Sequence, residues 1–205
     1  NRNRQKRKAE VEKVTTEKKL TELEMQALKA QINPHFVFNC LNSIKGFIFD
    51  KDFKQADKYL DKFSDLMRST IDNSDAAIIS LKDEMSYLDN YLLLEKLRFE
   101  DKFVYKIEVA DGIDKEKYFV PAMLLQPYVE NSIRHGMRFL ENRQGFIGIK
   151  AALEKGQLVC SIDDNGIGRE KAAALKSNMH IEYQSRGMNI SNRRAELYKI
   201  ELEII

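Results

Sequence analysis

Near residue 100 the apolar pattern of the chain changes period, and one regular architecture cannot satisfy both halves. Upstream, apolar residues recur every three or four positions. Phe36, Phe38, Leu41, Ile44 and Ile48 predict one helix. Tyr59, Leu60, Phe63, Leu66, Met67 and Thr70 mark the face of a second, over 53–71. The cluster Asp72-Asn73-Ser74-Asp75 breaks that helix, and Ser80 is a suitable N-cap for a third, carrying Met85, Leu88, Tyr91, Leu92 and 94–97. Downstream, 103–109 alternates as a strand does. A helix is predicted after Pro121 over about 122–138, then strands over 145–153 and 157–162. A short helix near 169–176 and a last one from about 187 to 198 complete the chain. Helices followed by a mixed segment predict an α+β protein of two units, divided between Asn73 and Ser80.

The N-terminal stretch reads differently from the rest. Residues 1–32 predict one charged helix with a weak seam at Thr16, Leu20, Leu23, Ala27 and Ala30, spaced four and three alternately. That is coiled-coil-like spacing, although a single amphipathic helix packed on its own domain has the same pattern. Pro34 bends or interrupts helix continuity near Asn33. The expected divisions are therefore 1–32, a signalling helix; 33–78, paired helices; and 79–205, the mixed unit.

Composition excludes several functions. The 205 residues carry 34 basic and 32 acidic side chains, a net charge of +2, so there is no global attraction to nucleic acid and no direct nucleic-acid partner is expected. Basic charge collects only at Arg2, Arg4, Lys6, Arg7 and Lys8. That is either a solvated terminus or a segment lying just inside a membrane. No apolar run approaches the ~20 residues that cross a bilayer, and there is no signal peptide; the spans of a membrane-bound parent are expected upstream. Cys40 and Cys160 stand in unrelated apolar stretches and suggest neither a disulfide scaffold nor a metal site.

Three segments carry chemistry. Within 124–136, Asn131, Arg134 and His135 are three and four apart and share one face of an α-helix. A carboxamide oxygen can ligate Mg²⁺, a guanidinium can hold phosphate oxygens, and Glu130 can orient or deprotonate a nucleophile. The second segment, Asp163-Asp164-Asn165-Gly166-Ile167-Gly168, follows a strand directly. Its glycines permit a tight turn and close ligand approach, and a carboxylate at the strand end can accept from an exocyclic amine such as that of adenine. The third, Arg186-Gly187-Met188-Asn189, is expected to open a helix, where backbone N–H groups favour phosphate. Each segment alone is also an ordinary polar face, loop or helix start.

In this order and spacing the three resemble the N, G1 and G2 boxes of the GHKL ATPases, over residues 121–199. The resemblance implies an α/β sandwich binding ATP with Mg²⁺ and a lid over 169–186. Asn131 becomes the metal ligand, and Arg134, His135, Asp164, Gly166, Gly168, Gly187 and Met188 become nucleotide contacts. His180, in that lid, reads as a solvated loop residue. Upstream, residues 28–44 contain Gln31-Ile32-Asn33-Pro34-His35-Phe36-Val37-Phe38-Asn39. This looks like the phosphoacceptor motif of LytS/YehU-type sensor histidine kinases, whose histidine after Asn-Pro accepts phosphate.

That resemblance implies autophosphorylation on His35 and transfer to an aspartate of a response-regulator receiver domain. It also implies a homodimer built on a four-helix bundle, and a cytoplasmic fragment of an inner- or plasma-membrane protein with its sensor segment upstream. Phe36, Phe38, Leu41, Ile44, Phe63, Leu66 and Met67 are the expected bundle core; the alternative is a monomer in which the helix over 81–99 caps the hairpin. Many histidine kinases place an acid directly after the acceptor, whereas Phe36 stands here, so Glu130 is the candidate base. The same departure keeps open a catalytically weak, nucleotide-binding scaffold. The family fold has a further hairpin strand after the last helix, so the C-terminal unit is expected to be incomplete at Ile205.

Overall fold

The computed structural model describes residue 7 and residues 34–100, 102–138, 140, 143–168 and 181–204, with the backbone alone for 34, 35, 74, 75 and 181–187. The expected seam over 16–30, the short helix near 169–176 and His180 lie outside the described residues. No described helix is long and apolar enough to cross a membrane.

Two helices form the first unit, α1 (Pro34–Phe49) and α2 (Phe53–Asp75). Pro34 sits at the first position of α1, where a missing N–H costs nothing. Asp52 caps α2 by accepting from the Gln55 N–H at 3.1 Å. After the short strand β1 (Ile78–Ser80), Ser80 caps α3 (Leu81–Arg98), accepting from the Asp83 N–H at 3.1 Å as its spacing predicts.

Helix α3 covers the inner face of the α1–α2 hairpin. The Phe36 and Tyr91 rings lie 5.0 Å apart between centroids, and the Tyr59 hydroxyl donates to the Leu94 carbonyl at 3.3 Å. Phe36, Tyr59 and Leu66 are therefore buried within one chain. This corrects the assignment of Phe36 and Leu66 to an intersubunit core. Helix α3 also packs on strands of the sheet unit.

The sheet unit is a four-stranded mixed sheet in the order β2-β4-β5-β6, with β2 (Phe103–Val109), β4 (Gly145–Glu154), β5 (Gln157–Asp164) and β6 (Glu201–Ile204). The β2–β4 and β5–β6 pairs are parallel, and β4–β5 is an antiparallel hairpin. Lys155 and Gly156, with φ of 51° and 81°, form its two-residue turn, the geometry that matches strand twist. Ile147, Ile149 and Ala151 alternate inward on β4 and meet Cys160 and Ile162 of β5. A second, two-stranded sheet pairs β1 with β3 (Phe119–Pro121). The expected α+β character is present.

The helix expected over 122–138 differs in two ways. It starts only at α4 (Gln126–Asn131), with Pro127 in its first turn. Residues 122–125 form a turn with Met123 at φ 57°. Glu84 on α3, fully buried, holds that turn by accepting from the N–H groups of Met123 (3.0 Å) and Leu125 (2.9 Å). The helix then continues as a π-helical segment, Ser132–Met137. Helix α5 (Ile181–Leu197) begins six residues before its expected start.

Candidate functional site

The loop after β5 packs against the π-helical segment at backbone distance. A Cβ on Gly166 would collide with the Gly136 backbone, so that position demands glycine for a steric reason, and a Cβ on Gly136 would make a tight contact of 3.3 Å with the Gly166 Cα. Asp164 ties the two together: Oδ2 accepts from the Ser132 hydroxyl at 2.7 Å and Oδ1 from the Gly166 N–H at 2.9 Å. Each oxygen keeps acceptor capacity for a ligand. Asn165 accepts from the Phe146 N–H at 2.6 Å, and Arg143 donates to the carbonyls of Asn165 (2.6 Å) and Gly166 (2.9 Å). The loop is thus held rigid on both flanks. Gly168 adopts φ 79° and is open on its side-chain face.

The third segment reaches the same helix through Tyr128. Its hydroxyl donates to Asn192 Oδ1 at 2.6 Å and stands 3.2 Å from the Met188 carbonyl. Burial pushes the Tyr128 pKa up to about 12, which keeps it a hydroxyl donor at neutral pH. Gly187 lies inside α5, not at its start, so the expected free N–H groups of a helix N-terminus are not at this residue.

The π-helical turn redistributes the residues that share a face in an α-helix. Its i→i+5 bonding, seen in the Arg138 N–H to Ile133 carbonyl contact of 3.1 Å, widens each turn. Arg134 lines a cavity of about 320 Å³ with Glu130, facing α1 and α3, whereas Asn131 and His135 are not among the lining residues. Phe36 and Asn39 of α1 form the opposite wall, and Glu95 and Arg98 of α3 the side. His35 lies one helical turn before Asn39 on α1.

Glu130 is partly buried and accepts from Gln126 Nε2 at 2.8 Å. Burial lifts its pKa, the Gln126 bond and Arg134 oppose that, and the nearby Glu95 adds to the rise. It is therefore a stronger base than a free carboxylate. The Glu95 carboxyl is raised by burial too, against the lowering effect of Arg98 and Arg134. Among the described residues no group of three or more His, Cys, Asp or Glu side chains could hold a metal ion. A cation at Asn131 would take most of its oxygens from phosphates and water, as Mg²⁺ at nucleotide sites does.

Of the residues expected from sequence, Glu130 and Arg134 line the cavity, and Asp164 and Gly166 meet the π-helical segment. Sequence reasoning does not single out Ser132, Arg143 or Tyr128, whose partners are distant in sequence, nor the Glu95–Arg98 pair, which reads as an ordinary helical ion pair. A serine or tyrosine within 124–136 is a weak signal; Arg143 carries none.

A helical hairpin sealed by a third helix, followed by a mixed sheet with a glycine loop at a strand end, is the arrangement to set beside known proteins. Residues 23–103 match the histidine kinase family. The chain is 36% identical over 146 residues to the sensor histidine kinase BtsS of Escherichia coli, covering 71% of this chain and 25% of that protein. It is 32% identical over 189 residues to the sensor protein LytS of Enterococcus faecalis, covering 90% and 31%. It is 30% identical over 151 residues to the sensor histidine kinase YesM of Bacillus subtilis, covering 74% and 26%. The chain belongs to the histidine kinase family, among the sensor kinases of the LytS/YehU type. It spans between a quarter and a third of the length of these curated relatives.

Proposed function

We propose that this chain is the kinase core of a two-component sensor, phosphorylating its own His35 from ATP and passing the group to a response-regulator aspartate. The observation that carries the reading is the cavity. The helix that begins at Pro34 contributes Phe36 and Asn39 to the same space as Glu130 and Arg134. The presumptive acceptor segment and the helix carrying the nucleotide box thus meet without rearrangement of the fold.

In this reading the remaining lone pairs of Asp164 receive the adenine amine, and Ser132 fixes that carboxylate. Gly166 and Gly168 let the loop approach the nucleotide, and Met188, anchored through Tyr128, closes the far side beside Gly187. The Asn131 carboxamide would hold Mg²⁺, which would supply charge neutralisation at the phosphates, and His135 would add a nucleotide contact. Arg134 steadies the γ-phosphoryl oxygens. An imidazole nitrogen of His35 forms the new N–P bond as the bond from the γ-phosphorus to the β–γ bridging oxygen breaks, and ADP leaves with that electron pair. The imidazole proton passes to Glu130. The chain acts as a homodimer whose α1–α2 hairpins pair into a four-helix bundle, with a membrane sensor segment upstream.

Incubation with γ-labelled ATP and Mg²⁺ tests this. The parent should yield an acid-labile, base-stable phosphoprotein. His35→Gln should bind nucleotide normally and take no label. Asn131→Asp should weaken nucleotide binding or labelling by roughly ten- to a hundredfold, the effect of losing one polarised contact. Nucleotide binding without any label in the parent would make the chain a signalling scaffold instead; label persisting in His35→Gln would move the acceptor elsewhere.

A further inference from the structure

Three charged groups of the cavity have no part in that mechanism, Arg138 and two that belong to the last turn of α3. Arg98 makes an ion pair with Glu95, one turn earlier, and its guanidinium lies 4.1 Å over the Phe99 ring. Glu95 is 3% and Arg98 24% exposed at the side chain. The Arg98 Nε is buried and has no hydrogen-bond partner. A buried N–H left unpaired is costly, so a guanidinium pinned by an ion pair and a ring, with one donor unused, is preorganised for an acceptor that arrives from outside. The cavity beside it is walled by Phe36 and Asn39 of α1 and by Arg134.

We propose that Arg98, fixed in place by Glu95, is a second catalytic arginine that contacts the phosphoryl group as it passes between ATP and His35, in the cavity it shares with Arg134. This rests on the kinase reading above. In the transition state negative charge spreads over three equatorial oxygens. One guanidinium fork cannot reach all three, whereas two forks lining one cavity can. Arg98 takes no proton and forms no bond to phosphorus. The N–P bond forms, the P–O bond to ADP breaks and the imidazole proton moves to Glu130 as before, while Arg98 stabilises the charge that develops between them. Glu95 is a positioning residue: it holds the guanidinium so that its remaining N–H groups point into the cavity. Placing this group on α3 makes the helix that seals the acceptor hairpin a part of the transfer site.

The test uses the full chain with Mg·ATP. Arg98→Lys keeps the cation and the ion pair but not the fork, and should lower the rate of His35 labelling at saturating ATP by roughly tenfold or more. Its ADP affinity and melting temperature should match the parent. The double variant Arg98→Ala with Glu95→Gln leaves no lone buried charge. It should lose roughly 10²–10³ in rate, the range for removing one preorganised donor, and regain part of it with added ethylguanidinium. Labelling of both variants at the parental rate would overturn the proposal. So would a rate loss that tracks a loss of ADP affinity and melting temperature without guanidinium rescue, since that is the mark of a packing role. Absence of His35 labelling in the parent is a separate result, which removes the kinase reading and this proposal with it.

Discussion

On α1 and α2, Phe38, Leu41, Phe49, Phe53 and Leu60 stand between 46% and 87% exposed, whereas in the sheet unit Ile147, Ile149 and Ile162 are at 0–1%. Both regions are amphipathic, but they finish their cores differently. The sheet turns one face inward under helices of the same chain. The hairpin gives its inner face to α3 and leaves an outer stripe, with Leu41 and Ile48 on α1 and Phe53, Leu60 and Ile71 on α2 recurring near the helical period. Isolated exposed apolar residues are ordinary; a contiguous stripe along two packed helices marks an association surface. The described strands bury their inner face within one chain, and the hairpin is the part that awaits a second copy in the dimer proposed above.

The largest expected effect breaks that contrast directly. Leu41→Glu combined with Leu60→Glu puts four charges into a symmetric bundle interface and removes four apolar side chains, each worth roughly 1.5–3 kcal/mol when buried. The dissociation constant should rise by at least ~10³-fold, read as a monomer by light scattering at micromolar concentration, with ADP binding unchanged. A parent that is itself monomeric there would show that the stripe has another occupant.

A smaller effect measures the same contrast from inside. Ile147→Ala in the sheet should cost about 2–5 kcal/mol in chemical denaturation. Phe38→Ala, made in the monomeric double-Glu background, should change stability by less than about 0.5 kcal/mol. Equal costs would mean that the hairpin surface is already covered within the chain.

The smallest effect concerns the joint between the regions. Burial outweighs the two N–H donors on Glu84 and raises its pKa from 4.5 to about 7. A carboxyl raised on folding binds more protons in the native state, so its contribution is fully present below pH 4.5 and is lost as pH rises through 7. Stability should therefore decline across that window, by an amount on the order of 1–3 kcal/mol. The raised Glu95 and Glu130 carboxyls act in the same direction. Glu84→Gln should flatten part of the decline, measured as melting temperature against pH. A parent profile that is flat, or rises, over pH 4.5–7 would show that the Glu84 charge is compensated in the fold.

The elements set by local chemistry were readable before any coordinates. Ser80 caps α3, the runs over 145–153 and 157–162 form strands, and the Asn-Pro-His segment points to the family that the comparisons bear out. These features depend on residues within a few positions of one another, where side-chain period, cap geometry and turn preference act directly. The start of α4 was misplaced because Pro121 drew the boundary, although Pro127 and the buried Glu84 hold it four residues later. The side chain that holds the turn before it lies 41 positions from Leu125. The π-helical turn over Ser132–Met137 is invisible to a pattern read at 3.6 residues per turn. The pairing of Phe36 with Tyr91, and the meeting of Arg98 with Arg134 and Asn39 in one cavity, required α3 to be packed on two units at once. That choice belongs to the tertiary structure, because it is decided by which apolar faces exclude water together, and no segment of the chain carries that information alone.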